Sequence, residues 1–147
     1  MKYLLLLLTA GLGLSFAPWQ PDFGSAQQLA AEKNKYILVN FSGSDWCGPC
    51  IRLHKEVFES NAFKELADQS LVLYKADFPR NKKNQLSKEV QQSNEALADK
   101  YNPLGKFPYT VILSADGKLI KAWDGYTGNN STQFIEQLKS VCDANRK

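Results

Sequence analysis

The chain has 147 residues, enough for one domain with its own hydrophobic core. Hydrophobic residues make up 44% and charged residues 22%, a composition typical of soluble globular proteins. The formal charge of +3 is too small to indicate a nucleic-acid partner.

The first 17 residues have the pattern of a secretory signal. Lys2 precedes an apolar run at 4–14, and the small residues Ser15 and Ala17 follow at signal-peptidase spacing. The run is shorter than the about 20 residues that a membrane-spanning helix needs. We therefore expect residues 1–17 to be a signal peptide and residues 18–147 to be an exported domain.

The pattern leaves the position of the cleavage site open. Cleavage after Ala17 would leave Pro18 as the first residue, which signal peptidase disfavours. A cut nearer Ala26, or an uncleaved anchor, stays open as an alternative.

Alternating helix and strand patterns follow in the first half of the domain. Residues 25–34 indicate a helix capped by Ser25, and the apolar, β-branched run at 35–42 indicates a central strand. Residues 47–68 have a helical pattern, with a second cap at Ser60.

The second half begins with a strand predicted at 70–78 and a polar loop at 79–85. A helical pattern starts at Leu86 and breaks at "NPLGKFP". Strands at 109–114 and 119–126 flank the turn "ADGK", and an amphipathic helix at 131–147 ends the chain.

This order of elements predicts the α/β class, with a mixed central sheet flanked by helices. Strands separated by helices are expected to pair in parallel, and the last two strands to form an antiparallel hairpin. Cys47 and Cys50 fall where the first strand ends and its helix begins. Sites in such sheets form at the carboxyl ends of strands.

The pair Cys47 and Cys50, in "SGSDWCGPC", indicates redox chemistry. A helix N-terminus stabilises a thiolate, and Cys-X-X-Cys thiols have pKa values of about 3.5–7.5. Cys47 should lie exposed at the cap and Cys50 should face the interior. The outer thiol would attack a substrate disulfide and the inner one would resolve the mixed disulfide. Gly48 leaves the approach open, and Pro49 is tolerated in the first helical turn.

The motif "WCGPC" after "ILVNF" resembles the active site of the thioredoxin family. The element order from about residue 25 to the end is similar as well, so the resemblance implies a thioredoxin fold. Within the family, the chain looks most like the exported bacterial thioredoxin-like proteins.

The resemblance also implies substrate-binding residues. "KFPYTVIL" resembles the family's turn in which a cis proline, here Pro108, faces the cysteines and the residue before it, Phe107, offers backbone groups to a bound peptide. Gly125 resembles a glycine near the substrate groove. Trp46 is expected either to exclude water under the site or to contact substrate.

Two departures from the family concern proton transfer. Asn40 stands where the family often has a buried aspartate that helps to deprotonate the inner thiol, and the connection from Phe41 to Cys47 is one residue longer. Asp45 or a water is expected to take over this transfer. Lys75 resembles the lysine partner of the missing aspartate and is expected to hydrogen-bond to Asn40.

Three other interpretations of the two cysteines compete with redox activity. A structural disulfide across so short a loop would gain little stability. A zinc site would have only His54 and Cys142 as further ligands, and haem attachment would need histidine at the position of Ile51.

The remaining candidates have ordinary interpretations beside functional ones. His54, the only histidine, could modulate a thiol pKa or be a helix residue without function. Cys142 is expected to be a buried free cysteine packed on the sheet, and a regulatory or intermolecular disulfide is the alternative. The run Arg80, Lys82 and Lys83 is either a solvated loop or a docking patch for an acidic partner.

We therefore expect an exported, monomeric thiol-disulfide oxidoreductase that needs no metal and no organic cofactor. Its Gly-Pro pair resembles the reducing family members, so its partners would be disulfide-containing client proteins and a membrane electron donor. The alternatives are a binding or chaperone module whose disulfide does not turn over, and a metal-handling protein using Cys47, Cys50 and His54.

Overall fold

A computed structural model describes residues 18–145, so the predicted signal peptide lies outside the described residues. The elements follow one another in the order α1 (Phe23–Lys33), β1 (Tyr36–Ser42), α2 (Gly48–Leu53), α3 (Asn61–Ser70), β2 (Leu71–Asp77), α4 (Lys88–Tyr101), β3 (Tyr109–Leu113), β4 (Leu119–Asp124) and α5 (Ser131–Ala144). A π-helical turn, His54–Phe58, continues α2, and a short 3-10 turn, Lys82–Asn84, lies in the loop before α4.

The sheet has the strand order β2-β1-β3-β4, which makes β1 a central strand as predicted. β1 pairs in parallel with β2, and β3 and β4 form the predicted antiparallel hairpin. The expectation of parallel pairing is wrong for β3, which runs antiparallel to β1. Residues 102–108 bring the chain to the carboxyl end of β1, where Tyr109 pairs with Phe41, so β3 must run back along β1.

Alternating side chains of the strands build a hydrophobic core on each face of the sheet. On one face, α1 and α4 cover β1 and β2 through buried residues such as Ala30, Val39, Tyr74 and Leu97. On the other face, α2, α3 and α5 pack on residues that include Leu38, Leu73 and Ile112. The prediction of a mixed sheet flanked by helices is confirmed.

Helix caps explain where the predicted boundaries need correction. The first helix is capped by Asp22 rather than by Ser25, because the Asp22 carboxylate accepts hydrogen bonds from the Ser25 N–H and hydroxyl, both at 2.7 Å. The predicted cap at Ser60 is confirmed, since its hydroxyl accepts from the Phe63 N–H. The fourth helix begins after its cap, Ser87, and not at Leu86.

The segment before the first helix also belongs to the fold. Trp19 forms an isolated parallel bridge with Leu73, and the Gln20 N–H donates to the Leu73 carbonyl oxygen at 2.8 Å. The Trp19 ring packs edge-on against Phe58 with the ring centroids 5.3 Å apart. Chain upstream of α1 therefore covers part of the α2 face of the sheet.

Candidate active site

Cys47 and Cys50 form a disulfide at the start of α2, with their Cα atoms 5.2 Å apart. Cys47 is the N-cap of the helix, as predicted, and its sulfur accepts a hydrogen bond from the Cys50 N–H at 3.3 Å. The expectation that Cys47 is exposed is wrong for this oxidised state, because only 5% of the residue is accessible. Cys50 is 2% exposed and faces the core, as predicted.

The two residues between the cysteines lie at the surface. Gly48 and Pro49 are both exposed, and a side chain at position 48 would meet no atom within 4 Å. Pro49 occupies the first turn of α2, where its missing N–H costs no helical hydrogen bond. Approach to the disulfide is therefore open along this edge.

Trp46 is fixed beside the disulfide by contacts on several sides. Its indole N–H donates to the Phe78 carbonyl oxygen at 2.8 Å, and its ring meets that of Phe107 edge-on at 5.4 Å. The Arg80 guanidinium carbon lies 3.7 Å from the ring centroid, within the range of a cation–π interaction. A Cβ atom at Gly43 would lie only 2.3 Å from the indole. Trp46 thus joins the loop after β2 to the segment before β3.

The segment before β3 has the geometry that the resemblance implies. The Phe107–Pro108 peptide bond is cis, Pro108 is buried and Phe107 is half-buried. The Gly125 N–H donates to the Pro108 carbonyl oxygen at 2.9 Å, so these two segments meet at one end of the sheet. Gly125 has φ +77°, a conformation that favours glycine over residues with a side chain.

Asn40 lies under α2 and is 3% exposed. Its amide donates to the Thr110 hydroxyl oxygen at 3.1 Å. The expected hydrogen bond from Lys75 to Asn40 is wrong: the Lys75 ammonium lies 5.5 Å from the centroid of the Trp19 ring, where a cation–π contact holds it. The position of the family's acid therefore holds a neutral pair of side chains.

Asp45 organises the loop after β2. One carboxylate oxygen accepts from the Arg80 N–H at 2.9 Å, and the other accepts from the Asn81 N–H at 2.9 Å and the Asn84 amide at 3.0 Å. The hydrogen bond from Arg80, followed by that from Asn84, lowers the pKa of Asp45. Both effects make Asp45 a poor proton acceptor for the inner thiol, in contrast to the role considered from the sequence.

His54 lies in the π-helical turn, one turn after Cys50. Its Nε2 atom is 3.5 Å from a carboxylate oxygen of Glu59, while its Nδ1 atom is buried without a hydrogen-bond partner among residues 18–145. Burial lowers the pKa of His54, the charge of Lys75 lowers it further, and Glu59 opposes both. His54 therefore favours the neutral form, in which one ring nitrogen can accept a proton.

Two contacts near the site could not be found from the sequence. The Tyr126 hydroxyl donates to the Glu56 carboxylate at 2.7 Å, and burial together with this bond raises the pKa of Tyr126 to about 12. A Cβ atom at Gly128 would lie 3.0 Å from the Arg52 guanidinium. These pairs connect α2 and its π-helical turn to the segment after β4. The partners are about 70 residues apart in the sequence, so no periodic pattern indicates that they are in contact.

Three negative findings apply to residues 18–145, and they concern a metal site, a membrane-spanning helix and the third cysteine. No group of three or more His, Cys, Asp and Glu side chains could hold a metal ion. No helix is long and apolar enough to cross a bilayer. Cys142 lies on the buried face of α5, is fully buried in the core and takes no part in the disulfide.

The sequence matches the thioredoxin-like domain family over residues 23–141, most of the chain. The chain belongs to the thioredoxin-like family. It is 31% identical over 123 residues to the disulfide bond reductase DsbH of Chlamydia pneumoniae, covering 84% of this chain and 71% of that protein. It is 30% identical over 115 residues to the thioredoxin-related protein DsbJ of the same organism, covering 76% of this chain but only 32% of DsbJ.

Solved structures show the same fold. A structure of the DsbH oxidoreductase superposes with a TM-score of 0.78 at 26% identity, covering 97% of this chain and 95% of that one. A thioredoxin from Thermus thermophilus superposes with a TM-score of 0.64 at 18% identity, covering 87% of this chain and 88% of that one, a likeness of fold alone. The thioredoxin fold predicted from "WCGPC" and the element order is confirmed.

Family membership and the Cys47–Cys50 disulfide together identify the chemistry. The chain is a thiol-disulfide oxidoreductase that exchanges disulfides with proteins.

Proposed function

We propose that this protein is an exported reductant of protein disulfides. The observation that carries the proposal is the unequal placement of the two sulfurs, with Cys47 at the helix cap and Cys50 facing the core. In the reduced protein, the N–H groups at the start of α2 stabilise the thiolate of Cys47.

The reaction transfers two electrons from the cysteine pair to a client. The Cys47 thiolate attacks one sulfur of a client disulfide, so a mixed disulfide forms and the first client thiolate leaves. Cys50 then loses its proton and attacks the Cys47 sulfur. The Cys47–Cys50 disulfide forms, the second client thiolate leaves, and the client is reduced.

The substrate-binding residues line the edge at which the disulfide lies. Gly48 and Pro49 leave the approach open, and Trp46 borders it with a ring fixed against Phe107. The backbone of Phe107 and Pro108, next to Gly125, offers hydrogen-bonding groups to an extended client segment.

A group other than a buried carboxylate must assist deprotonation of Cys50. Asn40 bears no titratable proton, and the Asp45 carboxylate is bound to its loop. We assign this role to a water molecule, with neutral His54 and the charge of Lys75 setting the electrostatics under α2. His54 and Lys75 are modulating residues in this scheme, since neither touches the reacting sulfurs.

The reducing direction is supported by the Gly-Pro pair and by the similarity to a protein named as a disulfide bond reductase. After each cycle the protein is oxidised, so a partner must reduce it again. Outside the cytosol, we propose a membrane protein that passes electrons across the bilayer and acts on a monomer of this chain.

The contacts of Trp19 and Asp22 favour one of the two cleavage sites over the other. Cleavage after Ala17 would retain Trp19, which bridges β2, and Asp22, which caps α1. A cut near Ala26 would remove both, together with the first turn of α1. We therefore propose that residues 1–17 are the signal peptide and that the protein acts in the cell envelope.

Trapping of clients tests the proposal. In Cys50→Ser, Cys47 still attacks client disulfides but the mixed disulfides have no intramolecular route to release, so envelope extracts should show larger bands that vanish on reduction. The control is the double variant Cys47→Ser, Cys50→Ser, which should show none because Cys142 is buried. Absence of trapped species with a demonstrably free Cys47 thiol would favour the binding module instead.

The redox potential of the Cys47–Cys50 pair, measured against a dithiothreitol buffer, tests the proposed reducing direction. A value near −120 mV, typical of oxidants, would contradict it.

A further inference from the structure

The loop after β2 concentrates positive charge. Residues 78–88, here called the basic loop, carry four cations and no carboxylate: Arg80, Lys82, Lys83 and Lys88. All four residues are exposed. Of the 18 Lys and Arg of the chain, Lys2, Arg146 and Lys147 lie outside residues 18–145, whereas all 15 Asp and Glu lie inside. The described domain is thus neutral as a whole, and the basic loop is a local segregation of charge.

The charge of the basic loop is not neutralised within the described domain. None of its four cations takes part in an ion pair among residues 18–145. Asp45, the carboxylate that contacts the loop, uses its oxygens on backbone N–H groups and on the Asn84 amide. By contrast, Lys106, also at this end of the sheet, is paired with Asp124.

The basic loop is held in one conformation. Besides its hydrogen bonds to Asp45, it contains a 3-10 turn capped by Asn81, whose side chain accepts from the Lys83 N–H at 3.0 Å. The Gln85 amide donates to the Pro79 carbonyl oxygen at 3.0 Å. Because these bonds fix the backbone, binding costs no entropy for ordering the loop itself, and only the cationic side chains lose rotamer freedom.

The basic loop also lies beside the reactive disulfide. The Arg80 guanidinium stacks on the Trp46 ring, and Trp46 directly precedes Cys47. The Trp46 indole donates to the carbonyl oxygen of Phe78, the first residue of the loop. A polypeptide whose disulfide reaches Cys47 past Trp46 must therefore pass close to Arg80 and to the loop that carries the other three cations.

We propose that the basic loop binds an acidic segment of the client polypeptide that flanks the disulfide attacked by Cys47. The inference rests on the proposed reduction of client disulfides and adds a class of client to it. Complementary charge of this kind raises association rates by about 10–10³-fold and loses its effect as salt screens it. The Debye length of about 8 Å at physiological salt limits the attraction to residues near the disulfide.

An anionic membrane surface would also attract four cations. The contacts with Trp46 favour a client, because they place the charge where a client segment must lie. The tip of the loop, Lys82–Asn84, has no apolar side chain to enter a bilayer. Membrane binding is therefore an outcome that the experiment must distinguish.

The test uses reduced protein and peptides that contain one disulfide flanked by glutamates, by lysines or by uncharged residues. Second-order rate constants for peptide reduction are measured at low salt and at high salt. The test variant is Lys82→Glu with Lys83→Glu, and the control is Lys118→Glu with Lys121→Glu. The control makes the same change in net charge at two exposed residues, Lys118 in the turn between β3 and β4 and Lys121 in β4. That turn lies at the amino end of β1, away from the disulfide. For each variant, the rate constant for the acidic peptide is divided by that for the basic peptide. Comparing this ratio between variants cancels the intrinsic reactivity of each peptide.

At low salt the protein should reduce the acidic peptide about tenfold faster than the basic one. The ratio should approach one at high salt, disappear or invert in the test variant, and persist in the control. Equal rates for the two peptides, or a preference that survives Lys82→Glu with Lys83→Glu, would overturn the inference while leaving client reduction intact.

Two other outcomes have different meanings. If the wild type reduces none of the peptides, the proposed function fails and this inference fails with it. If the protein instead binds phosphatidylglycerol vesicles through Lys82 and Lys83 and shows no peptide preference, the basic loop is a membrane contact and the client proposal is wrong.

Discussion

Placing a carboxyl group at position 40 tests how the neutral pair under α2 behaves. Asn40→Asp keeps the size of the side chain but puts an acid where 3% of the residue is exposed and where the partner is the neutral Thr110 hydroxyl. Burial raises the pKa of a carboxyl by up to 3–5 units from about 3.9. Lys75, which pairs with position 40 across the two strands, opposes that rise. A net rise of about 2 units corresponds to about 2.7 kcal/mol.

The sign of the pH dependence follows from this raised pKa. Below about pH 4 the carboxyl group of Asn40→Asp is protonated in both states, so no ionisation cost arises. Between about pH 4 and 6 the unfolded state releases its proton first, and the free energy of unfolding falls relative to wild type. Above that range the loss stays at about 2.7 kcal/mol. Urea unfolding of the reduced proteins across this range measures it.

The same carboxylate would give the inner thiol a proton acceptor. Above about pH 6 the second step, in which Cys50 displaces the client, should be about tenfold faster or more than in wild type. Asn94→Asp is the matched control, because Asn94 is fully buried on the other face of the sheet, bonded to Tyr74 and to the Asp77 carbonyl oxygen. The free energy of unfolding of Asn94→Asp should also fall as the pH rises, but its second step should be no faster than in wild type. A stability difference between Asn40→Asp and wild type that does not vary from pH 4 to 8 would refute the reasoning, since the site would then be solvated.

Three other groups of the site give measurable expectations. In the reduced protein, alkylation of Cys47 should titrate below about 8.5, ahead of the buried Cys50, and faster labelling of Cys50 would reverse the assigned roles. Because the pKa of His54 is lowered, the wild type should lose stability as pH falls below about 6.5, and His54→Asn should lose less. An unchanged urea midpoint profile would contradict that. Tyr126→Phe should lower the free energy of unfolding by about 1–2 kcal/mol, because Glu56 loses a donor. Absorbance titration should then lack one tyrosine that ionises near 12.

The sequence predicted those features of the fold that depend on which side chains of one segment are buried. The apolar, β-branched run at 35–42 indicated a central strand, and β1 has neighbours on both sides. The helical stripe of Cys50, Leu53, Val57 and Phe58 is fully buried. The direction of β3 was predicted wrongly, because periodicity describes which side chains are buried and not the path by which the loop before β3 returns the chain.

The site was predictable in so far as its residues are adjacent in sequence. The position of Cys47 at the helix cap follows from the order of strand and helix. The inward orientation of Cys50 follows from its place three residues later in the helix. The roles of Asp45 and Lys75 depend on partners in other segments, namely the loop after β2 and Trp19. A pattern in one segment carries no information on such contacts, so the sequence left Asp45 and a water as alternatives for proton transfer and did not indicate that Asp45 anchors a loop.

The packing of Trp46 on Gly43 has a consequence for how this sequence can vary. A single methyl group at position 43 would overlap the indole, with 2.3 Å between the atoms, so alanine there must displace the ring. Displacement would also break the hydrogen bond to Phe78 and the stacking of Arg80. Positions 43 and 46 are therefore expected to change together: a library randomised at both should yield side chains at 43 only where a smaller residue replaces Trp46.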